Sequence, residues 1–363
     1  MIPLRLGINC DREFEPFVVR IAAPGINEVS TNGHDAYLDA SDSEALAYLF
    51  RNQRFSILGV AADQIAGDVL LVDPKRQVAH RLIRAGSIHN TLLVTEQCDQ
   101  LCVMCSQPPK KLHVDLYDHF LQAVKLAPIG ATIGISGGEP TLHKEKLLGF
   151  LSAAVTARSD LNFHILTNGQ HFELADCETL RSISRNALWG VPIYSSEPHV
   201  HDQIVGKPGA FDRVHLGLGV LALSGSKIEL RTVVMKQNAS CMPDLADHIS
   251  RHLPFATVWA IMQMERIGYG RLNWAKSFFD SGKHFEDVSE AIDTMVARQK
   301  LVALYNFPLC TVPESYQKYC VSSISDWKRK YLDCCSQCSL ISKCGGFFEW
   351  YDEDTGYAEI LPK

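Results

Sequence analysis

From residue 90 onward, short apolar runs alternate with stretches whose apolar positions recur at helical period. Strands are expected at 91–95, 131–136, 162–166, 189–194, 228–234 and 258–263. Amphipathic helices fit between them, as at 115–126, 143–157 and 211–223. This alternation predicts an α/β fold with a parallel sheet and right-handed crossovers. Six such units fall short of a full eight-unit barrel. Periodicity alone does not separate a partial barrel from an open doubly wound sheet. In both, chemistry gathers at the carboxyl ends of the strands.

Residues 1–87 follow another pattern. One helix is expected over 43–50, where Ser43 caps an apolar run, and the rest reads as short strands. The clearest pair is 68–72 and 77–83, turning through Asp73-Pro74-Lys75-Arg76 as a hairpin. A small β-rich domain is expected, which either grips a substrate or partner or supports the next domain. A helix near 286–299 opens a cysteine-rich tail. The expected domains are 1–87, 88–285 and 286–363.

Composition narrows the function. The 363 residues are 46% hydrophobic and 21% charged, as in a soluble globular protein. A net charge of -6 gives no electrostatic case for nucleic acid or an anionic membrane surface. No apolar run is long enough to span a bilayer. Met1-Ile2-Pro3-Leu4-Arg5 lacks the basic-then-apolar pattern of a signal peptide, so a cytoplasmic protein is expected. Its twelve cysteines then call for an explanation other than disulfides. Cys10, Cys177 and Cys241 sit alone and read as small buried hydrophobes. The other nine fall into two clusters.

The first cluster, Cys98-x3-Cys102-x2-Cys105, follows the apolar run Asn90-Thr91-Leu92-Leu93-Val94, which reads as a buried strand. Three thiolates from one turn of chain suit an iron–sulfur cluster and leave one iron of a cubane open. This spacing resembles the nucleating motif of the radical S-adenosylmethionine (SAM) superfamily. The resemblance implies a [4Fe-4S] cluster on Cys98, Cys102 and Cys105, with SAM on the open iron. It further implies reductive cleavage of SAM to a 5′-deoxyadenosyl radical, fed by an electron donor such as flavodoxin or ferredoxin. The family's fold, a (β/α)6 partial barrel, is the one expected. Met104 stands where the family commonly has an aromatic residue near the adenine, a gap that a polarisable methionine also fills.

Later strand ends extend the resemblance. Gly137-Gly138-Glu139-Pro140 after the second strand looks like the family motif that holds the SAM ammonium. Leu166-Thr167-Asn168-Gly169 is similarly frequent there, although a plain turn at Asn168 explains it equally. Ser195 occupies the place of a polar residue facing the ribose, and Arg231 that of an arginine reaching the SAM carboxylate. A surface-edge position for Arg231 stays open. Met262 to Gly270 is similar to the last barrel strand near the adenine. His199, His201 and Asp202 are read as part of a capped, solvated loop rather than a metal site.

In the tail, Cys335-x2-Cys338-x5-Cys344 resembles the core of the SPASM and shorter twitch extensions. A full SPASM pattern has a further cysteine where Phe347 and Phe348 stand. One auxiliary [4Fe-4S] cluster is expected, completed by Cys310, with Cys320 and Cys334 as rival ligands. A four-cysteine zinc site is the alternative.

The stretch from Asn90 to Lys110, with Asn306 to Cys310 and the terminal cysteine set, also resembles the C member of the radical SAM maturase pair of the His-Xaa-Ser repeat system. That implies a ribosomally made His-Xaa-Ser repeat peptide as substrate and a second radical SAM maturase as partner. A small-molecule enzyme of cofactor biosynthesis and a non-catalytic iron–sulfur carrier are the competing readings.

Overall fold

Alternating apolar residues close the first seven strands into a barrel. These are β1 (Arg5–Cys10), β2 (Phe17–Ile21), β3 (Asp35–Ser41), β4 (Ala45–Phe50), β5 (Gln53–Leu58), β6 (Val69–Asp73) and β7 (Val78–Ile83). The computed structural model describes residues 2–10, 14–23, 33–41, 45–51 and 53–363. The order is β1-β5-β4-β3-β2-β6-β7, with β7 returning to β1. Only β2 and β3 run parallel among these pairs. Ile8, Ile21, Tyr48, Phe55, Ile57 and Leu70 fill the interior, and Tyr48 stacks on Phe55 at 5.9 Å. Closure removes the sheet edge that would otherwise template aggregation. The expected hairpin is present, with Val72 opposite Ala79.

The helix expected over 43–50 is not. Ser43 lies outside the described residues, and Ala45–Phe50 is β4, antiparallel to β3 and β5. A run apolar at every position fits a buried strand as well as a helix face. Here the cross-strand partners decide, burying Leu46, Ala47, Tyr48 and Phe50.

A second sheet has eight strands that succeed one another in chain order. They are β8 (Asn90–Thr95), β9 (Thr132–Gly137), β10 (Asn162–Leu166), β11 (Ala187–Pro192), β12 (Lys227–Val233), β13 (Val258–Met262), β14 (Val302–Tyr305) and β15 (Cys320–Val321). From β11 to β15 each pair is parallel. The order never reverses, so the sheet lacks the switch point of a doubly wound fold. β8 is an edge strand. Thr91 and Leu93 are exposed on it, whereas the apolar run had suggested burial throughout.

The chain divides into two compact units. One takes residues 1–94, 114–135 and 145–164: the barrel, the helix Tyr117–Lys125 against β2, β6 and β7, and most of the helix Lys144–Ala157. In it Tyr117 packs on Phe150 with ring centroids 5.8 Å apart. The other takes 95–113, 136–144 and 165–363. It has the carboxyl ends of β8–β10, all of β11–β15 and the helices Ala210–Leu223, Met242–His252 and Glu286–Ala297. Trp189 and Trp259 are fully buried there, and the Trp259 indole donates to Thr232 Oγ1 at 2.8 Å. Among the described residues no helix is long and apolar enough to cross a membrane.

Candidate functional site

Every residue singled out for chemistry lies in this second unit. The cysteine loop leaves β8 and is stitched to the end of β9. Gly138 N donates to Thr95 O at 2.9 Å, and Glu139 N donates to Gln97 O at 2.7 Å. The two backbones approach so closely that neither glycine tolerates a side chain. A Cβ on Gly137 (φ 151°) would meet Thr95 O at 2.0 Å, and one on Gly138 would meet Gln97 O at 2.1 Å. Replacing Gly138 by alanine should therefore part the strand end from the loop, at a cost of about 3 kcal/mol. Denaturant unfolding of the metal-free chain reads that cost, and an unchanged midpoint would refute the packing argument.

Glu139 is buried and accepts four hydrogen bonds. Its Oε1 accepts from Thr141 N at 2.8 Å and from the hydroxyls of Thr141 and Thr167, while its Oε2 accepts from Asn168 N. Burial raises its pKa against these donors. The carboxylate thus ties β9 to β10, and Oε2, with one bond, keeps further acceptor capacity for a cation. Pro140 opens the short helix Pro140–His143 that Glu139 caps. Asn168 is more than a plain turn residue, because its Nδ2 donates to Asp99 Oδ1 at 2.8 Å, inside the cysteine loop.

Asp99 also accepts from Lys207 Nζ and pairs with His171 Nε2 at 3.1 Å. Burial alone would raise its pKa, but His171 and Lys207 outweigh it and hold the carboxyl well below the usual range. Nothing in the sequence reading brought Asp99, His171 and Lys207 together. The far side of the loop is zipped to the helix Pro198–Val205, with Leu101 N on Val205 O at 3.0 Å and Val103 N on Ile204 O at 2.9 Å. The stretch after β13 closes it further: Tyr269 N donates to Cys105 O at 2.8 Å, and Asn273 Nδ2 to Val103 O at 2.9 Å.

Burial pushes the Cys98 thiol up to about 11 and raises Cys102 and Cys105 as well. For Cys102 the neighbouring Cys105 and Cys98 thiols add to the burial. Three bare thiolates are disfavoured so close together, and a bound cation reverses that by deprotonating them outright. Among the described residues no three His, Cys, Asp or Glu side chains stand as a finished coordination group.

Met104 is buried in an apolar cluster with Tyr194, Met235, Met264, Phe347 and Tyr357, against which Cys102, Cys310, Cys334 and Cys335 also pack. The two cysteine sets therefore share one hydrophobic body. Burial raises the Tyr194 hydroxyl, reinforced by the Cys102 thiol and opposed by Arg231. Ser195 is buried, and its Oγ accepts from Glu197 N at 3.0 Å.

Arg231 is not at a surface edge. β12 lies between β11 and β13, and the partner that a SAM carboxylate was expected to supply is present within the chain. The Arg231 guanidinium binds the buried Glu229 Oε1, Tyr305 donates to Glu229 Oε2 at 3.1 Å, and Arg231 lies 5.8 Å from the Tyr305 ring centre. Spacing of two on a strand puts Glu229 and Arg231 on one face, a signal available in the sequence. His201 is buried rather than solvated. Its Nδ1 accepts from Tyr194 N at 3.3 Å, and burial lowers its pKa to about 4. Asp202 caps the turn, accepting from Phe211 N at 2.9 Å and from Gly209 N.

The tail forms a pocket lined by Cys310, Cys334, Cys335, Cys338 and Cys344. Cys344 Sγ accepts from Leu309 N and Gly346 N, both at 3.4 Å. Burial pushes Cys310 up to about 12, with Cys344 and Cys335 adding to it. Cys320 does not line the pocket. Cys10, Cys177 and Cys241 are each partly buried.

No family model matches the chain. An AdoMet-dependent heme synthase of Methanosarcina barkeri (strain Fusaro / DSM 804) is 32% identical over 152 residues, 40% of this chain and 42% of the relative. An Fe-coproporphyrin III synthase of the same organism is 24% identical over 226 residues, 59% of this chain and 52% of the relative. The solved structure of Streptococcus suis SuiB bound to S-adenosylmethionine has the same fold, with TM-score 0.50 and 17% identity over 61% of this chain and 51% of that one. The first of these relatives, named for its AdoMet dependence, and the SuiB fold support the radical SAM superfamily for this chain.

It spans about half the length or less of the curated relatives it matches. Two observations fit the chain to the superfamily's cofactors. One loop carries three soft donors, and the glycine pair that packs that loop leaves the Glu139 carboxylate with acceptor capacity beside it.

Proposed function

We propose that this chain is a radical SAM enzyme that holds a [4Fe-4S] cluster on Cys98, Cys102 and Cys105 and binds SAM at the strand ends beside it. The observation that carries this reading is the backbone stitching of the cysteine loop to Gly138 and Glu139, which puts the two motifs in one rigid piece. When bound, the cluster and SAM supply a 5′-deoxyadenosyl radical. The protein's own contribution is to orient and to exclude water. Glu139 Oε2, with Gly137, Gly138 and Pro140 shaping its turn, accepts from the SAM ammonium. Asn168 fixes that carboxylate, Ser195 offers a hydroxyl, Arg231 a cation, and Met104 an apolar wall. Cys310, Cys335, Cys338 and Cys344 hold an auxiliary [4Fe-4S] cluster.

The domain reading is 1–87, 88–285 as a (β/α)6 partial barrel, and 286–363 as the auxiliary-cluster extension. The substrate is a His-Xaa-Ser repeat peptide, modified beside a second radical SAM maturase in the cytoplasm. A second reading, a small-molecule enzyme of cofactor biosynthesis, is favoured by the names of the two Methanosarcina barkeri relatives.

Mass spectrometry of a His-Xaa-Ser repeat peptide co-expressed with this chain, with and without the second maturase, separates the two. A mass change dependent on this chain supports the peptide reading. An unmodified peptide, together with 5′-deoxyadenosine formation stimulated by an iron coproporphyrin, overturns it in favour of the second.

A further inference from the structure

The eight residues from Cys98 to Cys105 receive little apolar support at their middle, where Leu101 is 57% exposed. Polar ties must then set the loop's shape. The only charged side chain among them is Asp99, between the first two cysteines. Its carboxylate is met by three donors from two separate elements. Asn168 and His171 come from the segment after β10, and Lys207 follows the Gly206 cap of the helix Pro198–Val205. The same segment supplies Val205 O and Ile204 O to the loop's backbone. At Gly206, with φ 66°, an added Cβ would stand 2.9 Å from Leu101 O. Ile204-Val205-Gly206-Lys207 therefore forms a splint along the loop, and Lys207 is its one cation.

We propose that Lys207 is a positioning residue for the three-cysteine site, fixing Asp99 so that Cys98 and Cys102 converge. The proposal rests on the reading that these cysteines hold an iron–sulfur cluster. The Asp99 carboxylate is largely shielded, and without its cation nothing of opposite charge from the splint holds it in place. Lys207 supplies that cation without touching iron.

The test is the rate at which a ferrous chelator strips iron from the anaerobically reconstituted full chain. K207M should release the iron of this site about 10- to 100-fold faster than wild type, the range typical of outer-shell partners of metal ligands. K207R should restore most of the wild-type rate, and D99N should match K207M. Far-ultraviolet circular dichroism spectra of the metal-free variants should coincide with wild type, showing that the fold is kept. In a C98A/C102A/C105A background, K207M should leave release of the remaining iron unchanged. A wild-type release rate in both K207M and D99N overturns the proposal, as does equal acceleration in the triple-alanine background, which marks a general loosening. If wild type and the triple-alanine chain bind the same amount of iron, the cluster reading itself fails and takes the proposal with it.

Discussion

Replacing Cys102 by alanine is expected to abolish 5′-deoxyadenosine formation and to remove the iron held by the cysteine loop. Cys102 is the middle donor of three and the one packed against the apolar cluster. Its sulfur is also held toward Gln100 Oε1 at 3.4 Å. A site with three protein donors and one open iron has no spare ligand, so two thiolates do not retain the cubane. The radical chemistry belongs to the cofactor, hence the expected fall is more than about a thousandfold, equivalent to over ~4 kcal/mol of barrier. C10A, at a lone cysteine of the barrel, should keep wild-type iron and activity. Chromatographic quantitation of 5′-deoxyadenosine from dithionite-reduced protein checks the first claim and colorimetric iron the second. A C102A chain that still cleaves SAM at a tenth of the wild-type rate would sink the assignment.

What made this loop legible is that its chemistry is local. Three donors within eight residues declare themselves whatever the fold, and the Gly-Gly-Glu-Pro turn does so one strand later. The alternation of strand and helix was equally readable, since a period of 2 or 3.6 is written into consecutive residues. The helix expected at 43–50 failed because an unbroken apolar run has no period to read, and the strands on either side decided it. Asp99 and Lys207 were invisible for a different reason. They are 108 residues apart, and a lone aspartate in a cysteine loop reads as solvated. His201 was misread likewise, because the helix around it looks polar by sequence while packing turns that imidazole onto Tyr194 N.

Glu229 marks the intermediate case. Its spacing from Arg231 was in view, but attention went to the arginine's external partner. An internal carboxylate already neutralises that arginine, so SAM would meet a paired guanidinium with donors beyond those given to Glu229. Conversely, the tail was half legible. The spacing 335-x2-338-x5-344 singled out three thiols that line one pocket, whereas the thiol that joins them from upstream depended on which distant residue the chain brings back.

The choice of fourth donor leads to the second large effect. Removing Cys344 is expected to cost the chain about one cluster's iron and to unravel the tail around the pocket. Cys344 accepts from Leu309 N beside Cys310 and from Gly346 N, so it binds the two walls even before a metal is present. Five thiols line the cavity and a cubane takes four. Cys310 arrives from the segment after β14, and Cys334, Cys335 and Cys338 come from the separate turn at 333–338. A ligand set drawn from both walls clamps the pocket, whereas one using Cys334 beside Cys335 leaves the Cys310 wall unheld. C310A, C335A, C338A and C344A should therefore each lose iron, while C334A and C320A keep it. Because the binding energy of such a site is folding energy, of order ~10 kcal/mol for structural metals, C344A should also expose residues 306–363 to rapid hydrogen exchange. Iron and zinc content measured together decide the metal. Full iron in C310A would transfer the fourth position to Cys334, and one zinc per chain with iron for a single cluster would replace the auxiliary cluster by a zinc staple.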